Sequence, residues 1–205
     1  MIAKTFSSDG ALGKAIPGFQ ARQPQIDMAE AVSSAIKDQT QLVVEAGTGT
    51  GKTFAYLVPA LLSGKKVIIS TGSKNLQEQL YHRDLPLMVN ALGFYGQVAL
   101  LKGRSNYLCL DRLSRQMVES HTNESDPTLL TQLVKVRTWS SETKIGDLGD
   151  CDDLPEDSMI IPTITSTNDN CLGKECPSYT DCFVLKARKR AMDSDIVVVT
   201  HHLFL

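Results

Sequence analysis

A chain of 205 residues with 42% hydrophobic and 21% charged content can bury one good core, or a core and a small satellite, which excludes wholesale disorder. The formal net charge of −2 excludes a global pull toward nucleic acid, so any such contact has to be local. With no apolar run of about eighteen residues and no charged-then-apolar leader, the expectation is a cytoplasmic protein without a membrane partner.

Residues 1–18 mix Gly, Ser, Lys and Pro without a period and are expected to form a leading arm. Pro24 sits where a first helical turn tolerates it, and Ile26, Met28, Ala29, Val32, Ala35 and Ile36 then follow a helical stripe ending near Lys37. Leu42, Val43 and Val44 suit a buried strand. They lead into Glu45-Ala46-Gly47-Thr48-Gly49-Thr50-Gly51-Lys52-Thr53, a phosphate-loop signature with Ala46 where the strict pattern has its first glycine. Glycines at 47, 49 and 51 let backbone N–H groups close around a triphosphate, Lys52 reaches the terminal phosphates, and the Thr53 hydroxyl holds Mg²⁺. Phe54 to Leu62 reads as a buried helix that Pro59 bends and Gly64 ends. Lys66 to Ser70 is the next strand, and a strand–helix–strand crossover of this kind predicts an α/β fold with a RecA-like parallel sheet covered by helices on both faces. A polar helix from Lys74 to about Arg83 and a strand over Gln97 to Leu101 follow.

From Lys102 to about residue 190 the pattern changes to short helices and loops, a mainly helical insertion. Asp126-Pro127 opens one convincing helix, and the acidic stretch Asp147 to Asp157 reads most plainly as a solvated surface loop. Asp195 to Thr200 carries Ile196 to Val199, the continuous apolar run of a parallel strand, so the sheet is expected to resume at about residue 191. The expected organisation is an arm (1–18), the first part of a RecA-like domain (19–101), the insertion (102–190) and the return to the sheet (191–205).

Five cysteines without an export signal argue for metal or reactive thiols over disulfides. Cys171, Cys176 and Cys182 are separated by four and five residues, with Cys109 far upstream in the same insertion. Four such thiolates suit Zn²⁺ or an iron–sulfur cubane, and spacing does not separate the two. Either would staple an insertion whose apolar pattern is modest. Cys151 stands apart in the acidic stretch and reads as a bystander thiol.

The loop, the distant cysteine followed by a trio, and the strand end Val197-Val198-Val199-Thr200-His201-His202-Leu203 together resemble the iron–sulfur superfamily 2 DNA helicases related to XPD, in their bacterial DinG/YoaA branch. The resemblance runs from Phe19 onward. It implies that Arg22 and Gln25 belong to an adenine-recognising Q motif, with Phe19 either stacking on the base or packing. It also implies that Thr71 to Gln79 touches the backbone of single-stranded DNA, although Asn75, Gln77 and Gln79 read by themselves as solvent-facing. It resolves the metal to a [4Fe–4S] cluster on Cys109, Cys171, Cys176 and Cys182. Lys102, Arg104, Tyr107 and Arg112 would then line a path for a strand, with Lys186, Arg188, Lys189 and Arg190 as a second basic run or a solvated helix face.

The family's Asp-Glu-Ala-His segment and second motor domain do not occur in this sequence, and Thr200 stands where the family has asparagine. The expectation is therefore the amino-terminal piece of an ATP-dependent DNA helicase. Its complete form would move 5′ to 3′ on single-stranded or forked DNA with replication or repair partners, while the piece itself turns over little. Two alternatives compete: a catalytically silent module binding metal and single-stranded DNA, and a phosphotransferase with a zinc-stapled lid.

Overall fold

The computed structural model describes residues 2–122 and 126–204. They form two compact units, Met1–Leu100 with Asp193–Leu205, and Leu101–Met192. Among the described residues no helix is long and apolar enough to cross a membrane.

In the first unit, α1 (Ile2–Phe6) and α2 (Ala11–Ala15) replace the expected arm. Phe6 and Leu12 are fully buried among Leu57, Leu80, Leu85 and Met88, so the first eighteen residues help close the core. Helices of five residues are too short to display a 3.6-residue period, which is why the pattern did not reveal them. Helix α3 (Gln23–Asp38) starts with Pro24 in its first turn and ends at Gln39 in the left-handed region (φ 56°). Helix α4 (Lys52–Leu62) contains Pro59 without ending there.

Strand β1 (Val67–Thr71), helices α5 (Lys74–Gln79) and α6 (Leu85–Leu92), and strands β2 (Val98–Leu100) and β3 (Ile196–Thr200) complete this unit, with a short helix at His201–Phe204. The sheet is wholly parallel in the order β1-β3-β2, with Val67 and Val98 both in register with Ile196. Central β3 is buried from Ile196 to Val199, as an unbroken β-branched run flanked on both edges requires. Asp195 ties its start to both neighbours: its carbonyl accepts from the Val67 N–H, and its carboxylate accepts from the Gln97 N–H at 2.7 Å.

One expected strand is missing from this sheet. Leu42, Val43 and Val44 carry no ladder; Val43 is 97% exposed, and both flanking residues are open to solvent. An apolar tripeptide becomes a strand only against a neighbour that satisfies its N–H and C=O groups. Both edges of β3 are taken by β1 and β2, and neither of these pairs with residues 42–44 on its outer edge. The α/β class and parallel topology therefore rest on β1, β2 and β3, not on a crossover from the residues before the loop.

The second unit holds α7 (Leu110–Thr122), α8 (Pro127–Glu142), α9 (Ile161–Ile164) and α10 (Phe183–Asp193). Asp126 caps α8 by accepting from the Thr128 N–H at 2.8 Å. Its core includes Leu113, Leu133, Val136, Ile164, Phe183 and Val184. The acidic stretch is not the solvated loop it resembled. Leu148, Cys151 and Leu154 are buried in that core, and the buried Asp147 carboxylate meets Lys102 Nζ at 2.5 Å. The acidic residues that face water, Asp152, Asp153, Glu156 and Asp157, alternate with these anchors and disguise them.

Candidate nucleotide cradle and cysteine cavity

The phosphate loop lies between exposed chain and the start of α4. Gly51 is the N-cap of α4 and holds φ at 82°, and a Cβ there would strike the Gln25 side chain, so glycine is required twice over. Gly49 also takes a positive φ, 76°. The Thr50 hydroxyl donates to the Gly47 carbonyl at 3.0 Å, which tightens the turn spanning Thr48 and Gly49. Lys52 Nζ donates to the carbonyls of Ala46 (2.7 Å) and Gly47 (2.8 Å). An ammonium held over the loop by two neutral carbonyls is a donor that an anionic phosphate can take over.

Arg22 and Gln25 are brought to this loop by the first turn of α3. Arg22 donates to the Gly49 carbonyl, and Gln25 Nε2 donates to the Gly51 carbonyl at 3.0 Å. Their immediate work is to fix the loop's shape. Phe19 packs in tilted contact with Phe6 and Phe54, at centroid distances of 6.4 and 6.3 Å, and also borders the cavity beside the loop. That cavity, about 310 Å³, is lined by Arg22, Gln25, Gly49, Gly51 and Thr53 together with Gln79, Arg83 and Asp84. Arg83 and Asp84 were not singled out in the sequence, and Gln79 only as a DNA-facing or solvent-facing amide. Behind the loop, burial raises the Tyr56 phenol above its ordinary pKa; a hydrogen bond with Thr53 opposes this and the charge of Asp84 adds to it.

Of the expected DNA-facing amides, Asn75 is exposed, whereas Gln77 is 1% exposed and donates to the Val198 carbonyl at 3.2 Å. Gln77 serves the sheet. At the carboxyl ends of β1 and β3, Ser70 Oγ and His201 Nδ1 are 2.6 Å apart.

In the second unit, Cys109, Cys171, Cys176 and Cys182 line one cavity of about 240 Å³, while Cys151 is buried in the core away from that lining. Burial raises the Cys109 thiol above its ordinary pKa and the nearby Cys176 charge adds to this, so these sulfurs need a positive partner to ionise together. Arg104 Nη1 donates to Cys171 Sγ at 3.1 Å, and the Gly173 N–H donates to the same sulfur at 3.5 Å. Arg104 Nε is buried without a protein acceptor. Donors converging on a sulfur are what a thiolate-ligated inorganic centre requires. Among the described residues, no three sulfur, imidazole or carboxylate groups close on a single point to hold an ion.

The four residues expected to line a path for DNA are otherwise engaged. Lys102 pairs with Asp147, Tyr107 is 2% exposed, Arg104 serves Cys171, and Arg112 donates to the carbonyls of Thr163 (3.0 Å) and Pro162 (3.3 Å). A buried ring offers no face to a base. On α10, Arg188, Lys189 and Arg190 are solvent-exposed, Arg190 acts on Tyr107 through its charge, and Arg188 lines the cysteine cavity.

Residues 26–125 match the DEAD/DEAH box helicase family. The chain is 60% identical over 200 residues to the ATP-dependent DNA helicase YoaA of Escherichia coli, an alignment covering 98% of this chain and 31% of that protein. It is 56% identical over 203 residues to YoaA of Haemophilus influenzae, covering 99% and 31%. Against the ATP-dependent helicase DinG of Mycobacterium tuberculosis it is 38% identical over 213 residues, covering 94% and 32%. The chain thus spans about a third of the length of these curated relatives.

Proposed function

Because this chain belongs to the DEAD/DEAH box helicases of the DinG/YoaA kind, we propose that it supplies the nucleotide cradle and the cysteine-ligated unit of an ATP-driven DNA helicase. The observation that carries the reading is the loop itself: Gly51 in the left-handed region at the head of α4, Lys52 poised over the turn, and Arg22 and Gln25 bracing its carbonyls. In this reading the backbone of Gly47 to Gly51 and the Lys52 ammonium bind the phosphates of ATP, Thr53 holds Mg²⁺, and Phe19, Arg22 and Gln25 border the base. DNA contact falls to the exposed start of α5, around Ser73, Lys74 and Asn75, and to Arg188, Lys189 and Arg190. Movement 5′ to 3′ along single-stranded or forked DNA is part of the proposal and follows the family resemblance.

Cys109, Cys171, Cys176 and Cys182 are the proposed ligands of a [4Fe–4S] cluster. Four cysteines that border one cavity are the donor set that a cubane or a zinc ion takes, and the choice of the cluster follows the family resemblance. The cluster would supply a rigid anionic staple for the cavity walls; Arg104 neutralises and orients Cys171 toward it.

The test is DNA-stimulated ATP hydrolysis by the complete gene product. Single-stranded DNA is expected to raise turnover, and Lys52→Ala to abolish most of it. Turnover that ignores both DNA and Lys52, or phosphoryl transfer to a small acceptor, contradicts the helicase reading.

A further inference from the structure

The carboxyl ends of β1 and β3 carry a side-chain pair that the nucleotide cradle does not use. Val67, Ile69, Ile196 and Val198 pack into the core of the first unit, so alternation along β1 puts Ser70 on the other face of the sheet. The chain leaving β1 stays with the core face: α5 runs into Leu80, which is buried with Ile196 and Val198. The chain leaving β3 turns the other way, because His201 Nδ1 meets Ser70 Oγ at 2.6 Å. Connections that part to opposite faces of neighbouring parallel strands open a crevice outside their carboxyl ends, which is where sheets of this class receive ligands.

The chemistry of this crevice suits an anion. No Asp or Glu occurs from Ser70 to Gln77 or from Ile196 to Leu205, while Gly72, Ser73, Lys74, Asn75 and His201 are all exposed. With Nδ1 turned to Ser70, the other ring nitrogen of His201 lies beside Gly72: a Cβ there would stand 3.7 Å from Nε2 and 3.8 Å from Cδ2, so a longer side chain would lie against the nitrogen that glycine leaves open. A serine hydroxyl can donate to Nδ1 or accept from it, whereas a phosphate oxygen only accepts. Phosphate at Nε2 therefore selects the Nε2–H tautomer, and the Ser70 hydroxyl donates to Nδ1 and holds the ring in it. Ser70, Gly72 and His201 are not part of the nucleotide cavity lining, so the phosphate they suit is not one of the nucleotide's.

We infer that His201, oriented by Ser70, donates from Nε2 to a backbone phosphate of single-stranded DNA lying across the carboxyl ends of β1 and β3. This rests on the helicase reading above and adds to it a binding residue, His201, and a positioning residue, Ser70. The contact fixes the strand's place on the sheet and reads no base.

The test is the affinity of the complete protein for a fluorescent oligothymidylate, by anisotropy without nucleotide, at about pH 8 where an ordinary imidazole is neutral. His201→Phe, which keeps a ring but has no N–H, is expected to weaken DNA binding about tenfold, the worth of one hydrogen bond to a charged acceptor. His201→Gln, whose amide is still a donor, is expected to recover part of that loss. Ser70→Ala should cost about threefold by itself and nothing further beside His201→Phe, because it acts only through the ring. ATP affinity, measured by calorimetry on the same variants, should stay at the wild-type value. DNA binding by His201→Phe at wild-type strength overturns the inference. So do equal losses of DNA and ATP affinity, which a merely structural residue would give, and fully additive losses from Ser70→Ala and His201→Phe. Failure of the helicase reading looks different: the wild-type protein then binds no single-stranded DNA at all.

Discussion

The two units place their chemistry in opposite ways. In the first, the cradle is made of backbone. Gly49 and Gly51 hold positive φ, α4 begins at Lys52, and the side chains of Arg22 and Gln25 serve to brace carbonyls. In the second, the cavity is made of side chains: four sulfurs and a guanidinium stand on short helices and turns around a separate apolar core. A backbone site has to be written in glycines at fixed spacing, so it is visible in sequence, whereas a side-chain site is visible only as residue types whose convergence the fold supplies. The comparison also revises the role of the metal. Leu113, Leu133, Val136 and Ile164 pack with next to no exposure in an apolar core of their own, so the insertion has more to hold it than a staple alone.

The largest expected effect sharpens that difference. Lys102 and Asp147 are both nearly buried, and removing one partner of such a pair leaves an uncompensated charge. Lys102→Ala is expected to destabilise the second unit by about 3–5 kcal/mol in urea unfolding. A stable variant with weakened DNA binding would return Lys102 to the role the sequence implied. Lys52→Ala acts on the other region: loss of one aimed cationic donor is expected to cut turnover by a factor on the order of 10² to 10³ with the fold intact, measured by steady-state hydrolysis and circular dichroism. Leu113→Ala, at a position with no exposure, should cost about 2–5 kcal/mol and should do so with the cysteine cavity loaded or stripped. If the stripped protein has no cooperative transition to lose, the core is not independent after all. Smaller still, Asp126→Ala removes the cap of α8 and is expected to cost about 1 kcal/mol. The exposed pair Lys135–Asp153, at 2.7 Å, should be worth under about 1 kcal/mol, and a double-mutant cycle exceeding that would show the segment after Cys151 to be held more tightly than its exposure implies.

Legibility in the sequence followed the same division. The loop, the Asp126 cap and the strands β1 and β3 were readable because glycine, capping and β-branched signals are local. The cysteine set was readable by type and spacing. Context hid the rest. Leu42 to Val44 have strand composition but no neighbour to pair with, and α1 and α2 are too short to show a period. Asp147 and Lys102 look like solvated charges until the fold brings residues 45 positions apart together. The π turn at Leu80–Asp84 has no compositional signature, so Arg83 and Asp84 stayed invisible as cavity lining, and Gln79 was read as an amide facing solvent or DNA. Gln77 was assigned to solvent by polarity, yet it satisfies a carbonyl of the central strand.

The most direct measurement is iron and acid-labile sulfide per chain in anaerobically purified protein, taken across serine variants of each cysteine in turn. The account predicts a brown protein with close to four irons, bleached by replacement of Cys109, Cys171, Cys176 or Cys182 and unaffected by Cys151→Ser. A colourless protein with stoichiometric zinc, or a cluster lost only when Cys151 is replaced, would contradict it.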